Sequence, residues 1–159
     1  MSVQNIILVV TATATALMAG LFYAFYCAVN LGLARLSNAE YVSAMQSINR
    51  RIQNPVFFTA FFGAPISLIL STFLHYEQSM RFRLLLAATM IYLIGVFGVT
   101  VFGNVPLNNT LDGFNSETAS EEETALQRAN FEKRWNSFNT VRTVASTLAL
   151  TFIVIACLN

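Results

Sequence analysis

The sequence predicts an all-α protein: a four-transmembrane-helix antiparallel bundle with a polar, partly helical loop between the third and fourth helices. Two observations carry that class. Of the 159 residues, 55% are hydrophobic and only 11% are charged, with a mean hydropathy of +0.58, against about 25% charged in ordinary soluble domains. The charges are also missing from four long intervals, Met1–Ala34, Ile52–Tyr76, Leu84–Leu111 and Thr143–Asn159. The first three exceed the roughly 20 residues that a helix needs to cross a bilayer. The fourth reaches that length when it is extended back past Arg142 to Asn139.

The first helix is expected over about residues 5–33. No lysine or arginine precedes Arg35, and the apolar run is too long for a secretory leader, so it reads as a retained anchor. The second, over about 55–75, opens on Pro55, a favoured first-turn residue. The third covers about 83–105, where Pro106 ends or kinks it. The fourth covers about 135–158. Gly63-Ala64-Pro65 allows a kink in the second helix, and Gly95 and Gly98 let the third approach a neighbour closely.

Between the first two spans, "SNAEYVSAMQSINRRI" puts Tyr41, Met45, Ile48 and Ile52 on one stripe, the pattern of an amphipathic helix. In the longer loop, "SETASEEETALQRANFEKRW" predicts a short surface helix, with Ser120 as its cap and Glu121, Glu122 and Glu123 at the positive end of its dipole. No repeat or boundary divides the chain, so residues 1–159 form a single integral membrane domain. Cys27 and Cys157 fall on opposite faces of such a bundle; they cannot pair and read as small apolar packing residues.

Orientation follows from the basic residues. The loops after the first and third spans hold Arg35, Arg50, Arg51, Arg128, Lys133 and Arg134, whereas the middle loop holds Arg81 and Arg83. The positive-inside bias places both termini outside and the two larger loops in the cytoplasm. The net charge of +1 points away from nucleic acid. A single histidine, His75, excludes haem or zinc held by histidine pairs within one chain. Neither a CxxC pair nor a glycine-rich phosphate loop is present. No acidic residue lies inside a span, which argues against a proton-coupled transporter.

The polar residues gather at one end. The first span ends with Tyr23, Tyr26 and Asn30, the approach to the second carries Gln46, Asn49, Gln53 and Asn54, and the third ends with Thr100, Asn104 and Asn108. The fourth opens with Trp135, Asn139 and Arg142, at spacings of four and three that set all three on one face. An antiparallel bundle brings these ends together. Arg142 has two placements: reaching out to the headgroups, or turned inward to line a pocket, where intramembrane charges usually point. The amides likewise serve as interhelical glue or as a polar floor beneath aromatics such as Phe57, Phe58, Phe61 and Phe62.

"AGLFYAFYCAVNLGLARL", "YVSAMQSINRRIQNPVFF", "NVPLNNTL" and "RWNSFNTVRT" together resemble the anthrone-oxygenase-like family of small integral membrane proteins, in order and over nearly the whole chain. The resemblance implies oxidation of an anthrone, a tricyclic phenolic ketone, to an anthraquinone by molecular oxygen, with no cofactor and no metal. It carries over Asn104, Pro106, Leu107, Asn108, Trp135, Asn139 and Arg142, with Phe138 standing where close relatives would have tryptophan. Arg142, Asn108 and Asn139 are the expected catalytic residues, and Tyr23, Tyr26, Asn30, Asn104, Trp135 and Phe58 the expected substrate-binding ones. Tyr23, Tyr26 and Glu132 are the candidate bases. Expected partners are membrane lipids and a polycyclic aromatic or quinone-like small molecule, in a bacterial inner membrane, with homo-oligomerisation left open. The other readings are a non-catalytic lipid- or quinone-binding protein and a small structural membrane subunit.

Overall fold

The structure, a computed structural model, describes residues 2–159. It contains five helices: α1 (Val3–Leu33), α2 (Asn38–Arg51), α3 (Pro55–Leu74), α4 (Ser79–Asp112) and α5 (Glu121–Leu158). All but α2 are long and apolar enough to cross a membrane. No strand occurs among the described residues.

Local chemistry sets where each helix begins. Ser2 caps α1 by accepting from the Asn5 N–H, and Asn54 caps α3 by accepting from the Phe57 N–H, with Pro55 in the first turn. Ser37 and Glu40 form a reciprocal capping box for α2, as Ser120 and Glu123 do for α5. Hydrogen bonds from the Ser37 hydroxyl and N–H hold the Glu40 carboxyl below the usual carboxylate range.

Two boundaries differ from the sequence reading. Pro106 does not end the third span; α4 runs on through it to Asp112. Wider π-helical turns at Leu93–Gly98 and Thr100–Asn104 precede the proline. They re-space the carbonyls where its ring would clash and where it has no N–H to donate. The surface helix and the fourth span are also one rod, α5, of 38 residues. At 1.5 Å per residue it measures about 57 Å, well beyond a hydrocarbon core of about 30 Å, so its first turns project past the bundle. The loop between third and fourth spans shrinks to residues 113–120.

α1 lies against α3 and α5, and α4 lies along α5. The main core is built by Met18, Phe22, Leu68, Tyr92, Val96 and Ile153, each at most 3% exposed. A Cβ placed on Gly95 would come within 2.6 Å of the Ala145 Cβ, so glycine is what lets α4 and α5 touch there. Gly98 has no such neighbour: its nearest atom is the Leu93 carbonyl oxygen of its own helix. Pro65 sits inside an unbroken α3. Cys27 and Cys157 are both exposed rather than packed.

A second, smaller core sits over one end of the bundle. There the apolar stripe of α2 (Tyr41, Val42, Met45) packs on Leu111, Phe131 and Trp135. Two polar ties hold α2 down. Gln46 donates to the carbonyls of Leu111 and Phe114, both at 2.8 Å. Arg128 donates to the carbonyls of Leu36 (2.8 Å) and Ala34 (3.0 Å), and its guanidinium lies 4.5 Å over the Tyr41 ring.

The relation between α3 and α4 changes along their length. At the tight link between them the Thr72 and Thr89 hydroxyls are 2.9 Å apart. Further along, contact passes to the aromatic pair Phe61–Phe97 (5.3 Å). Beyond it α4 leans onto α5 and α2 and away from α3. That divergence leaves space beneath α2.

Candidate functional site

The space is a cavity of about 300 Å³ with a charged floor, aromatic walls and an amide rim. The floor is Arg142, 6% exposed. Its Nη2 donates to Asn139 Oδ1 at 3.0 Å and its Nη1 to Thr100 Oγ1 at 3.5 Å, while Nε has no partner. The Phe22 ring lies 4.5 Å from the guanidinium carbon and the Trp135 ring 5.3 Å away. A guanidinium carries five N–H donors, and here it meets two neutral acceptors and two ring faces. No carboxylate among the described residues pairs with it. The ion pairs among the described residues, Arg50–Asp112 and Arg128–Glu132, both lie away from the cavity.

Asn139 fixes how the arginine sits. Its Nδ2 donates to the Phe22 carbonyl at 3.2 Å, which turns Oδ1 toward the guanidinium. The inward placement of Arg142 therefore follows from the face it shares with Trp135 and Asn139, all three at most 6% exposed. The snorkelling alternative does not occur.

The walls are Phe22 and Phe25 from α1, Phe57, Phe58 and Phe61 from α3, and Trp135 from α5. They brace one another, with ring centroids 5.3 Å apart for Phe57–Phe61 and 5.4 Å for Phe25–Trp135. On the α4 side of the rim, Asn108 Oδ1 accepts from Trp135 Nε1 at 2.9 Å. Asn104 is 1% exposed; its Nδ2 reaches the Trp135 carbonyl at 3.5 Å and its Oδ1 is unpartnered. Across the cavity α2 and its link contribute Asn49, 6% exposed with Nδ2 unpartnered, and Gln53, which donates to the Asn49 carbonyl.

Six residues singled out by the sequence, Arg142, Asn139, Asn108, Asn104, Trp135 and Phe58, line this cavity. Three others do not. Tyr23 and Tyr26 are 58% and 51% exposed on the outside of α1, and Asn30 is half-buried outside the lining. The reason is helical phase. Phe22 and Phe25 face the cavity, and the residue after each points about 100° further round. Glu132 is paired with Arg128 at 2.8 Å, so none of the three candidate bases faces the site. Asn49 and Thr100, which the sequence placed in the polar cluster but not among the expected catalytic or substrate-binding residues, also line the cavity. Asn49 had a readable signal: it follows Met45 by four on the buried stripe of an amphipathic helix, a costly place for an amide without a purpose.

The sequence matches the anthrone oxygenase family over residues 49–152, which is 104 of 159. The chain belongs to the anthrone oxygenase family. The matched stretch holds the floor and both sides of the amide rim, from Asn49 to Arg142; the Phe22 and Phe25 wall comes from α1, outside it. No curated protein and no solved structure matches the chain.

Proposed function

We propose that the protein is a membrane-embedded oxygenase that converts an anthrone-like or hydroquinone-like substrate to its quinone with molecular oxygen and no cofactor, the cavity end facing the cytoplasm and both termini outside. The observation that carries this reading is the buried guanidinium of Arg142 with no anionic partner from the chain, at the floor of an aromatic cavity. A buried charge without a counter-charge is expensive. A ligand that becomes anionic at that point supplies what the fold leaves out.

The chemistry needs little more than that. Loss of one proton from the anthrone methylene gives an enolate whose negative charge sits on the ketone oxygen. A guanidinium and neutral amide donors, held rigid in a dry site, stabilise such an oxyanion as it forms. The enolate carbon then bonds to one atom of O2, and the peroxide so formed takes up a proton. Loss of the second methylene hydrogen as a proton, with cleavage of the O–O bond, leaves the new carbonyl and releases water. One O2 is consumed per quinone, and the atoms balance.

No carboxylate, imidazole or phenol among the described residues lines the cavity. In this reading Arg142 promotes ionisation by favouring the substrate's own anion, and the proton passes to water. The aromatic walls hold the flat rings by stacking and keep the enolate away from bulk solvent. The test is an oxygen-electrode measurement on protein purified in detergent and supplied with a hydroxylated anthrone. One equivalent of O2 taken up per quinone formed is expected. Tight binding of the anthrone with no uptake above the spontaneous rate would replace the enzyme by a binding protein for quinone-like lipids.

A further inference from the structure

The way into the cavity is built as selectively as its floor. The route along the bundle axis is closed by α2: Tyr41, Val42 and Met45 interlock with Leu111 and Phe131, all at most 2% exposed, and Gln46 ties the helix to the end of α4. The side left open is the slot where α3 and α4 diverge. Two cavity-lining residues from opposite lips of that slot, Phe58 on α3 and Val105 on α4, are 39% and 41% exposed, and Phe62 and Phe102 flank them on the outer surface. Phe58 stands three residues inside α3, about 5 Å along its axis, so the slot cuts into the depth that hydrocarbon occupies. Its outer end is marked by Gln53 and Asn109, both exposed, at the level where the spans begin and end.

We infer that the cavity is loaded sideways from the lipid leaflet through the slot between α3 and α4, and that it admits neutral weak acids, enolisable ketones or phenols, which ionise only after they reach Arg142. This rests on the proposed role of Arg142 but concerns how the site is filled. An anion cannot pay the cost of crossing hydrocarbon between Phe58 and Val105. The neutral form crosses freely, and its rings exchange lipid contacts for the aromatic walls at little cost. Only at the floor does a positive charge favour the ionised form, the released proton leaving to interfacial water beside Gln53 and Asn109. A permanently charged molecule with the same rings is therefore excluded by a site whose one charge would attract it.

The chain's single tryptophan, Trp135, lines the cavity and is 5% exposed, so its fluorescence reports what reaches the interior. The full-length protein is placed in phosphatidylcholine vesicles, with and without bromine on the acyl chains, and iodide is added to the buffer. Brominated chains are expected to remove most of the Trp135 emission and iodide little of it. Val105→Phe, which narrows the slot, is expected to reduce the loss caused by bromine. Anthrone should protect Trp135 from bromine, and a sulfonated, permanently anionic anthrone at equal concentration should not. Arg142→Leu should keep the bromine effect and lose the protection. Strong quenching by iodide, indifference to brominated chains, or equal protection by the sulfonate overturns the inference. None of these readings involves oxygen uptake, so a failed oxygenase assay leaves the slot standing, and a sealed slot leaves the oxygenase assay to be judged alone.

Discussion

The two ends of the bundle both bury polar side chains, and they do so in opposite ways. At the α3–α4 link the polar groups are hydroxyls that turn back onto their own helices: Thr11 to the Ile7 carbonyl, Thr72 to Leu68 and Thr89 to Leu85, each at 2.8 Å. They also meet in pairs, Thr11 with Ser71 at 2.8 Å and Thr72 with Thr89 at 2.9 Å; in the second pair one hydroxyl shares its single proton between its own helix carbonyl and its partner. His75 Nδ1 donates to the Ser71 carbonyl in the same fashion. At the other end the groups are amides and a guanidinium, with more donors than their neighbours can accept. A hydroxyl has one proton to place and a helix offers a carbonyl within reach. An arginine has five, and Asn139 and Thr100 accept only two of those of Arg142. Unpartnered atoms occur at both ends; Thr15 Oγ1, Tyr92 Oη, His75 Nε2 and Asn136 Oδ1 do not line the cavity, whereas Arg142 Nε, Asn49 Nδ2 and Asn104 Oδ1 belong to residues that do. Polarity that satisfies itself holds helices together; polarity left over around a space is there for something else.

The strongest way to break that contrast is Arg142→Leu. Oxygen uptake should fall on the order of 10²–10³-fold, about 3–4 kcal/mol, the scale of a lost oxyanion donor. Thermal stability in detergent should stay level or rise, because an apolar side chain in place of an uncompensated buried charge is neutral or stabilising. Activity and melting temperature falling together would make Arg142 a structural member like the hydroxyls at the far end.

A smaller effect sharpens the picture at the rim. Asn49→Leu should weaken anthrone binding about tenfold, or ~1.4 kcal/mol, in a calorimetric titration. The unfolding midpoint should hold, since the Asn49 Nδ2 has no protein partner to lose and Gln53 binds only its backbone carbonyl. A large drop in stability with unchanged affinity would return Asn49 to the packing. The smallest effect belongs to the other end. A double-mutant cycle on Thr72→Val and Thr89→Val should give a coupling near 0.6 kcal/mol, typical of polar pairs between membrane helices, with anthrone affinity unmoved. A change in affinity there would show that the two ends communicate.

How much of this was readable in one dimension depends on the residue. Trp135, Asn139 and Arg142 stand on one helix at spacings of four and three, so their shared face was visible without coordinates. Asn104 was legible as an amide at the end of a span, four residues after Thr100, and Asn108 as the amide just beyond Pro106. Tyr23 and Tyr26 misled because α1 is apolar nearly all the way round, leaving no periodicity to say which side meets the bundle. Pro106 misled because the rule that proline ends helices assumes ordinary α spacing, and the π turns before it change that spacing. The role of α2 as a cover was out of reach, since it depends on Gln46 meeting carbonyls more than sixty residues away.

The sequence by itself determined that this chain has four apolar spans, that its polar residues collect at one end, and that a single arginine stands inside the fourth. Those properties are counts and periods along the chain, set by each residue's near neighbours. Only the tertiary structure decided that the arginine is uncompensated, that α2 closes the axial route, and that a slot opens beside Phe58 and Val105. Each of these depends on which helix faces lean together and where they part, and that is settled by packing between residues far apart in the chain.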